Sequence, residues 1–197
     1  TNLRLREKLS ARKIALPASP AGASDEKRGE GGQGDLGDYY GDGGIVVKSF
    51  ELRSPNGDMK HIFTFGEHLR VHILIHSLVN VSGVHVGVVF HRDDGVISMG
   101  LSNNFSLNGK YRKTRTLMNV ETDSTYELVL DIPSIPLGNS NYSIGMTISE
   151  HEYIASKVDC FFQRDNLASF SVVSADHDYT YKHASEAPSF WSMRVVS

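Results

Sequence analysis

Beyond residue 44 the chain follows a two-residue rhythm. Apolar runs recur about every eight to twelve residues, each closed by residues that favour turns. The pattern predicts strands over residues 45–53, 61–65, 69–77, 84–91, 96–102, 125–132, 142–150, 153–162 and 170–173. The breaks contain Pro55-Asn56-Gly57-Asp58, Asp93-Asp94-Gly95, Asn108-Gly109 and Gly138-Asn139-Ser140. These residues accept positive φ or pre-set a turn. Asp94-Gly95, between 84–91 and 96–102, is the clearest hairpin signal. Helical periodicity is not sustained anywhere past residue 44. The expectation is an all-β fold, a two-sheet antiparallel β-sandwich.

Alternation assigns the faces. Val71, Ile73 and Ile75 share one side of their strand, and His72, Leu74 and His76 the other. Val86, Val88 and Phe90 oppose His85, Gly87, Val89 and His91; Ile144, Met146 and Ile148 oppose Ser143, Gly145, Thr147 and Ser149. One side of each strand builds the core. The other is small, polar and rich in imidazole. The two histidine-bearing strands are expected to be neighbours, so His72, His76, His85 and His91 would share a face with Ser143 and Thr147. Histidines at i and i+4 on a strand lie about 13 Å apart, so one strand cannot offer both to a metal ion. A zinc site would need cross-strand pairs, and no cofactor is expected. Small residues leave room, while His, Ser and Thr supply donors and acceptors. That chemistry suits a neutral polyhydroxyl ligand, usually with an aromatic platform. Tyr179 and Tyr181 are the candidates for that platform; Trp191 is as well placed for the core.

The N-terminal part reads differently. Residues 1–13 carry five basic residues and one acidic residue, with a partial apolar stripe that stops at Pro17. Residues 29–44 hold eight glycines, with aspartates among them. Such a segment buries too little apolar surface to offset its ordering entropy. A glycine-aspartate calcium repeat fails, because Leu36 stands where an aspartate is needed and there is one copy only. Residues 1–43 are therefore expected to be a helical or flexible arm and linker, and 44–197 the sandwich. The chain begins at Thr1, which suggests a piece of a longer protein.

Composition narrows the chemistry. The 197 residues carry 20 Lys+Arg against 23 Asp+Glu, a formal charge of −3, which argues against nucleic-acid binding. The single cysteine, Cys160, excludes an internal disulfide and multi-cysteine zinc sites. No apolar run reaches the roughly 18 residues of a membrane helix. There is no P-loop, no H-E-x-x-H and no G-x-S-x-G. Asp176, His177 and Asp178 form only a generic cluster. A binding module is expected, not an enzyme.

An ordered series of pieces carries a family resemblance. Gly43-Gly44-Ile45 leads to Phe50-Glu51-Leu52 and the turn at Asn56-Gly57. Phe65-Gly66-Glu67 and Leu69-Arg70-Val71-His72-Ile73 follow, then Gly87-Val88-Val89-Phe90, Asp94-Gly95 and Met99-Gly100-Leu101-Ser102-Asn103-Asn104. Pro136-Leu137-Gly138 and Tyr142-Ser143-Ile144 close it. This order resembles the C-terminal carbohydrate-binding domain of Wzt, the ATP-binding subunit of bacterial O-antigen polysaccharide ABC transporters. The resemblance implies an Ig-like or jelly-roll-like sandwich following a nucleotide-binding domain, at the cytoplasmic face of the inner membrane beside the membrane subunit. It implies recognition of the non-reducing end of a finished O-antigen polysaccharide for export. It also implies a homodimer, with exchange of a C-terminal strand such as residues 191–196. The alternative is a structural dimerisation domain without a ligand. Sugar contacts vary within the family, so the site candidates rest on alternation: His72, His76, His85, His91, Ser143, Thr147, Tyr179 and Tyr181.

Overall fold

A computed structural model describes residues 39–104, 106–107, 113–150, 160–173 and 187–196. The chain divides into two units, Thr1–Gln33 and Gly34–Ser197, and all described residues lie in the second. That unit is a β-sandwich. The first sheet is ordered β1 (Ile45–Arg53), β3 (Leu69–Ser77), β10 (Ser124–Ile132) and β13 (Phe190–Val195), all antiparallel. The second is ordered β2 (Ile62–Thr64), β12 (Cys160–Val173), β11 (Ser140–Ser149), β5 (His85–Arg92) and β6 (Ile97–Ser102). Among the described strands, only β2 runs parallel to its neighbour. Two short ribbons, β4 (Val81–Ser82) with β9 (Asn119–Val120) and β7 (Ser106–Leu107) with β8 (Lys113–Thr114), complete the described elements.

The alternation works as expected in β3, β5 and β11, but in β6 Ile97, which spacing assigns to the core, is exposed and Ser98 is buried, because a bulge shifts the register beside His91. Val71, Ile73 and Ile75 of β3 and Leu128 and Leu130 of β10 are buried against Val86, Val88 and Phe90 of β5 and Ile144, Met146 and Ile148 of β11. Each such side chain stabilises the fold by about 1.5–3 kcal/mol relative to exposure. Phe170 anchors one end of this core. It meets Phe63 and Phe90 edge-on, at 5.8 and 6.0 Å between centroids, and stacks on Tyr142 at 5.5 Å. The Tyr142 hydroxyl donates to the Gly138 carbonyl at 2.9 Å, so its polar end is satisfied.

Asn103 ties the end of β6 to the start of β5. It is fully buried. Its Oδ1 accepts from the Val86 N–H at 2.8 Å, and its Nδ2 donates to the carbonyls of Val84 (2.7 Å) and Thr116 (3.2 Å). One amide thus satisfies three backbone groups that the strands leave over.

Two expectations need correction. The predicted strands 153–162 and 170–173 are not separate: their described parts are the two ends of β12. The polar run Gln163-Arg164-Asp165-Asn166 falls in the gap between them, where the pattern assigns no strand. Instead it forms a bulge within one strand, with Asn166 at φ 60°. Residues 151–159 lie outside the described residues. The second correction concerns pairing. β3 and β5 are not neighbours; they sit in opposite sheets with their apolar faces toward each other. Residues 78–84, including β4, carry the chain across. The histidine face predicted as one surface is therefore divided between the two outer sides of the sandwich.

Candidate functional site

The outer side of the second sheet is built from small residues. Register places Tyr40, Gln163, Thr147, Gly87 and Ser102 in one row across β12, β11, β5 and β6. Tyr40 enters this row through a two-way backbone bridge with Gln163, at 2.8 and 2.6 Å. The next row holds Gly145, Val89 and Gly100. The third holds Ser169, Ser143, His91 and Ile97. Gly87 and Gly100 leave low ground beside Val89, while Gly145 lies under Asp165. A Cβ at Gly100 would meet nothing within 4 Å, and one at Gly87 only the His85 ring at 3.6 Å.

Two walls turn this face into a groove. One is the β12 bulge. Ile144 pairs with Ala168 and Met146 with Arg164, so the single Gly145 faces Asp165, Asn166 and Leu167. The Asp165 carboxylate lies so close over Gly145 that a Cβ there would sit 2.9 Å from its Oδ1. The other wall is the β5–β6 hairpin tip, with Gly95 at φ 80°. There the Arg92 Nε donates to Asp94 Oδ1 at 3.0 Å, and Ser140 Oγ donates to Asp93 Oδ1 at 3.2 Å. The hydrogen bond from Arg92 holds the Asp94 carboxyl below its usual range, so this exposed pair stays ionised. Between the walls lies a depression of about 310 Å³, lined by His91, Arg92, Asp93, Ser143, Asp165 and Asn166. It offers carboxylate acceptors at Asp93 and Asp165, donors at Arg92 and Asn166, and the Ser143 hydroxyl. That suits hydrogen bonding to a hydroxylated ligand.

The predicted site residues distribute as follows. His85, His91, Ser143 and Thr147 share this face, and His91 pairs directly with Ser143. His85 stands at the far end, hydrogen-bonded through Nδ1 to the Asn104 amide. His72 and His76 lie on the outer side of the first sheet. His72 Nδ1 donates to Glu127 Oε1 at 3.1 Å, and His76 Nδ1 bonds Thr125 Oγ1 at 3.1 Å. With the sandwich between them, the two histidine pairs cannot share one ligand or one metal ion. Tyr179 and Tyr181 lie outside the described residues. Sequence reasoning missed Tyr40, Gln163, Asp165 and Asn166 as parts of this face, whereas alternation along 96–102 does put Gly100 on its polar side. Tyr40 stands in the glycine-rich segment that reads as linker, and Asp165-Asn166 in a stretch where the pattern assigns no strand.

Among the described residues the chain forms a two-sheet sandwich with a polar groove on one outer side. A family model for the Wzt C-terminal domain matches residues 38–184, and the chain belongs to that family. Membership implies a carbohydrate-binding module of O-antigen ABC transporters. Among solved structures, the crystal structure of the C-terminal domain of Wzt superposes with a TM-score of 0.60 at 14% identity, covering 75% of this chain and 87% of that one. The CARDB domain of a Pyrococcus furiosus protein aligns with a TM-score of 0.37 at 11% identity, covering 73% of this chain and 100% of that one. No curated protein matches the chain. Among the described residues, no helix is long and apolar enough to cross a membrane.

Proposed function

We propose that this domain recognises the non-reducing terminus of a completed O-antigen polysaccharide in the groove on the second sheet, selecting finished chains for export. The observation that supports this reading is the row structure of that face. Hydroxyl, amide and imidazole groups of Thr147, Gln163, Ser143 and His91 flank a row of Gly145, Val89 and Gly100, with Tyr40 in register at one end. A sugar hydroxyl that exchanges water for a neutral partner gains about 0.5–1.5 kcal/mol, and more against an ionised carboxylate such as Asp165. Affinity is then modest for each residue of the glycan and depends on several simultaneous contacts.

In this reading the sandwich from residue 44 is a non-catalytic module, and residues 1–43 link it to a nucleotide-binding domain at the cytoplasmic face of the inner membrane. It works as a homodimer, by exchange of β13 or by side-by-side pairing. The position of β13 at the edge of the first sheet is compatible with either. The same edge position favours the second reading, a structural dimerisation domain with no ligand of its own.

The deciding experiment titrates the protein with the source organism's own O-polysaccharide, intact and with its non-reducing terminal residue removed. Binding to the intact chain alone supports end recognition. Equal binding to both means that the repeat is read along its length. Absence of binding to either refutes the proposal and leaves the dimerisation reading. Product analysis of the same mixtures checks for hydrolysis, since Asp93 and Asp165 both line the groove.

A further inference from the structure

The outer side of the first sheet carries a larger depression, of about 540 Å³, on the opposite side of the sandwich from the groove. Its centre is the row Phe190, Asp131 and Arg70 across β13, β10 and β3. Ser192 and His72 stand in the next row, on either side of Val129. Phe190 is 42% exposed.

The polar groups here are held in place. Asp131 Oδ1 accepts from His68 Nε2 at 2.5 Å and from Arg70 Nε at 2.9 Å. Arg70 Nη1 donates to the Pro55 carbonyl at 3.0 Å. Glu127 accepts from His72 at one oxygen and from Arg194 at the other. All contacts of Asp131 fall on Oδ1, and Oδ2 has no partner among the described residues. A carboxylate fixed by two donors, with a second oxygen open beside an exposed ring, is a preorganised acceptor next to an apolar plate. The charges cancel: Arg70 and Arg194 face Asp131 and Glu127. The depression therefore has no net attraction for an anion or a cation, and fits an uncharged ligand with one apolar face and hydroxyl donors.

We propose that this depression is a second saccharide-binding site, in which a neutral pyranose lies against Phe190 and donates hydroxyls to Asp131 Oδ2 and Ser192. Burial alone would raise the Asp131 carboxyl, but the hydrogen bonds from His68 and Arg70 outweigh it and keep the group below its usual range. It is thus ionised, the stronger acceptor, at neutral pH. The site shares no residue with the groove, so it stands whether or not the groove binds the chain terminus.

The test is amide chemical-shift mapping of the full chain with methyl glycosides of mannose, galactose, rhamnose and N-acetylglucosamine at millimolar concentration. The expected result is saturable shifts at residues 190–194 and 129–131 with at least one glycoside. Phe190→Ala should weaken this binding about tenfold and Phe190→Tyr should retain it, since the plate is what matters. Asp131→Asn should weaken it by a similar factor while the fold's shift pattern persists. Saturable shifts confined to the groove would overturn this proposal and leave the groove reading standing. Shifts confined to the first sheet would support it and count against the groove. If Phe190→Ala dissociates a dimer and leaves sugar-induced shifts unchanged, the depression is a subunit contact and the proposal fails.

Discussion

Asn103 offers the most direct test of how this frame is held. Replacing it with alanine removes one acceptor and two donors from a fully buried site. The Val86 N–H and the Val84 carbonyl then lose partners in a water-free environment. Each buried group left unsatisfied costs about 1–3 kcal/mol. The Thr116 bond is longer and closer to the surface, so it contributes at the lower end. The structure therefore predicts a loss of about 3–5 kcal/mol, a large share of the roughly 5–15 kcal/mol that stabilises an ordinary domain. Urea denaturation followed by Trp191 fluorescence gives the number, provided the slope of the transition is unchanged. Asn103→Asp sharpens the test. It keeps an acceptor for Val86 but loses both donors and buries a charge, so it should be at least as destabilising as alanine. A loss below about 1 kcal/mol for Asn103→Ala would refute the reasoning, because it would mean water or rearrangement satisfies these groups at almost no cost.

Three further outcomes follow from the geometry. Gly100→Trp places an indole in open space on the floor of the groove, so it should abolish binding of the O-polysaccharide while moving thermal stability by less than about 1 kcal/mol; retained affinity would move the site elsewhere. Burial raises the Glu127 carboxyl, yet hydrogen bonds from His72 and Arg194 outweigh it and leave the group, like Asp131, below its usual range. Their stabilising effect is complete above the ordinary carboxylate pKa and is lost as pH falls through the lowered folded values, so acid titration of Glu127→Gln should show a shallower loss of stability below about pH 4 than the parent. Trp191 is buried, and its Nε1 has no hydrogen-bond partner among the described residues. Trp191→Ala should cost about 3–5 kcal/mol, whereas Trp191→Phe should cost far less, because it also removes an unsatisfied donor; equal losses in a denaturation series would contradict that account.

The alternation of apolar residues was legible because a strand with one buried side has no other way to write itself. Ile73, Val88 and Ile144 could be assigned to the core from spacing alone, and all three are buried. Pairing was not legible. β3 and β5 carry the same pattern, and the pattern says which side faces the core but not which sheet contributes the strand. Residues 78–84 decide it by crossing between the layers. The site was half legible for the same reason. Ser143, Thr147 and His91 stand on strands whose outward positions could be counted. Asp165 and Asn166 stand in a bulge, where two extra residues break the count and where Asn166 takes up the left-handed conformation that asparagine tolerates. Tyr40 joins the face through a bridge to Gln163, more than a hundred residues away, and nothing local in the glycine-rich segment announces it.

The glycines of the second sheet bear most directly on function. Glycine within a strand costs about 0.5–1 kcal/mol relative to alanine, and it earns its place where φ is positive or where a neighbour allows no Cβ. Gly95 meets the first condition, at φ 80°. Gly145 meets the second, under Asp165. Gly87 and Gly100 meet neither: neither is among the positive-φ residues, and a Cβ at either would sit in open space or in ordinary contact. The fold alone gives no reason for glycine at these two positions, yet they stand on neighbouring strands of one face, one row apart. What they provide is a floor low enough for a ring to lie on, between hydroxyl groups at Ser102 and Thr147 and the His91–Ser143 pair. A requirement for room outside the sandwich accounts for both, and under the proposed function that room is the space a sugar ring takes.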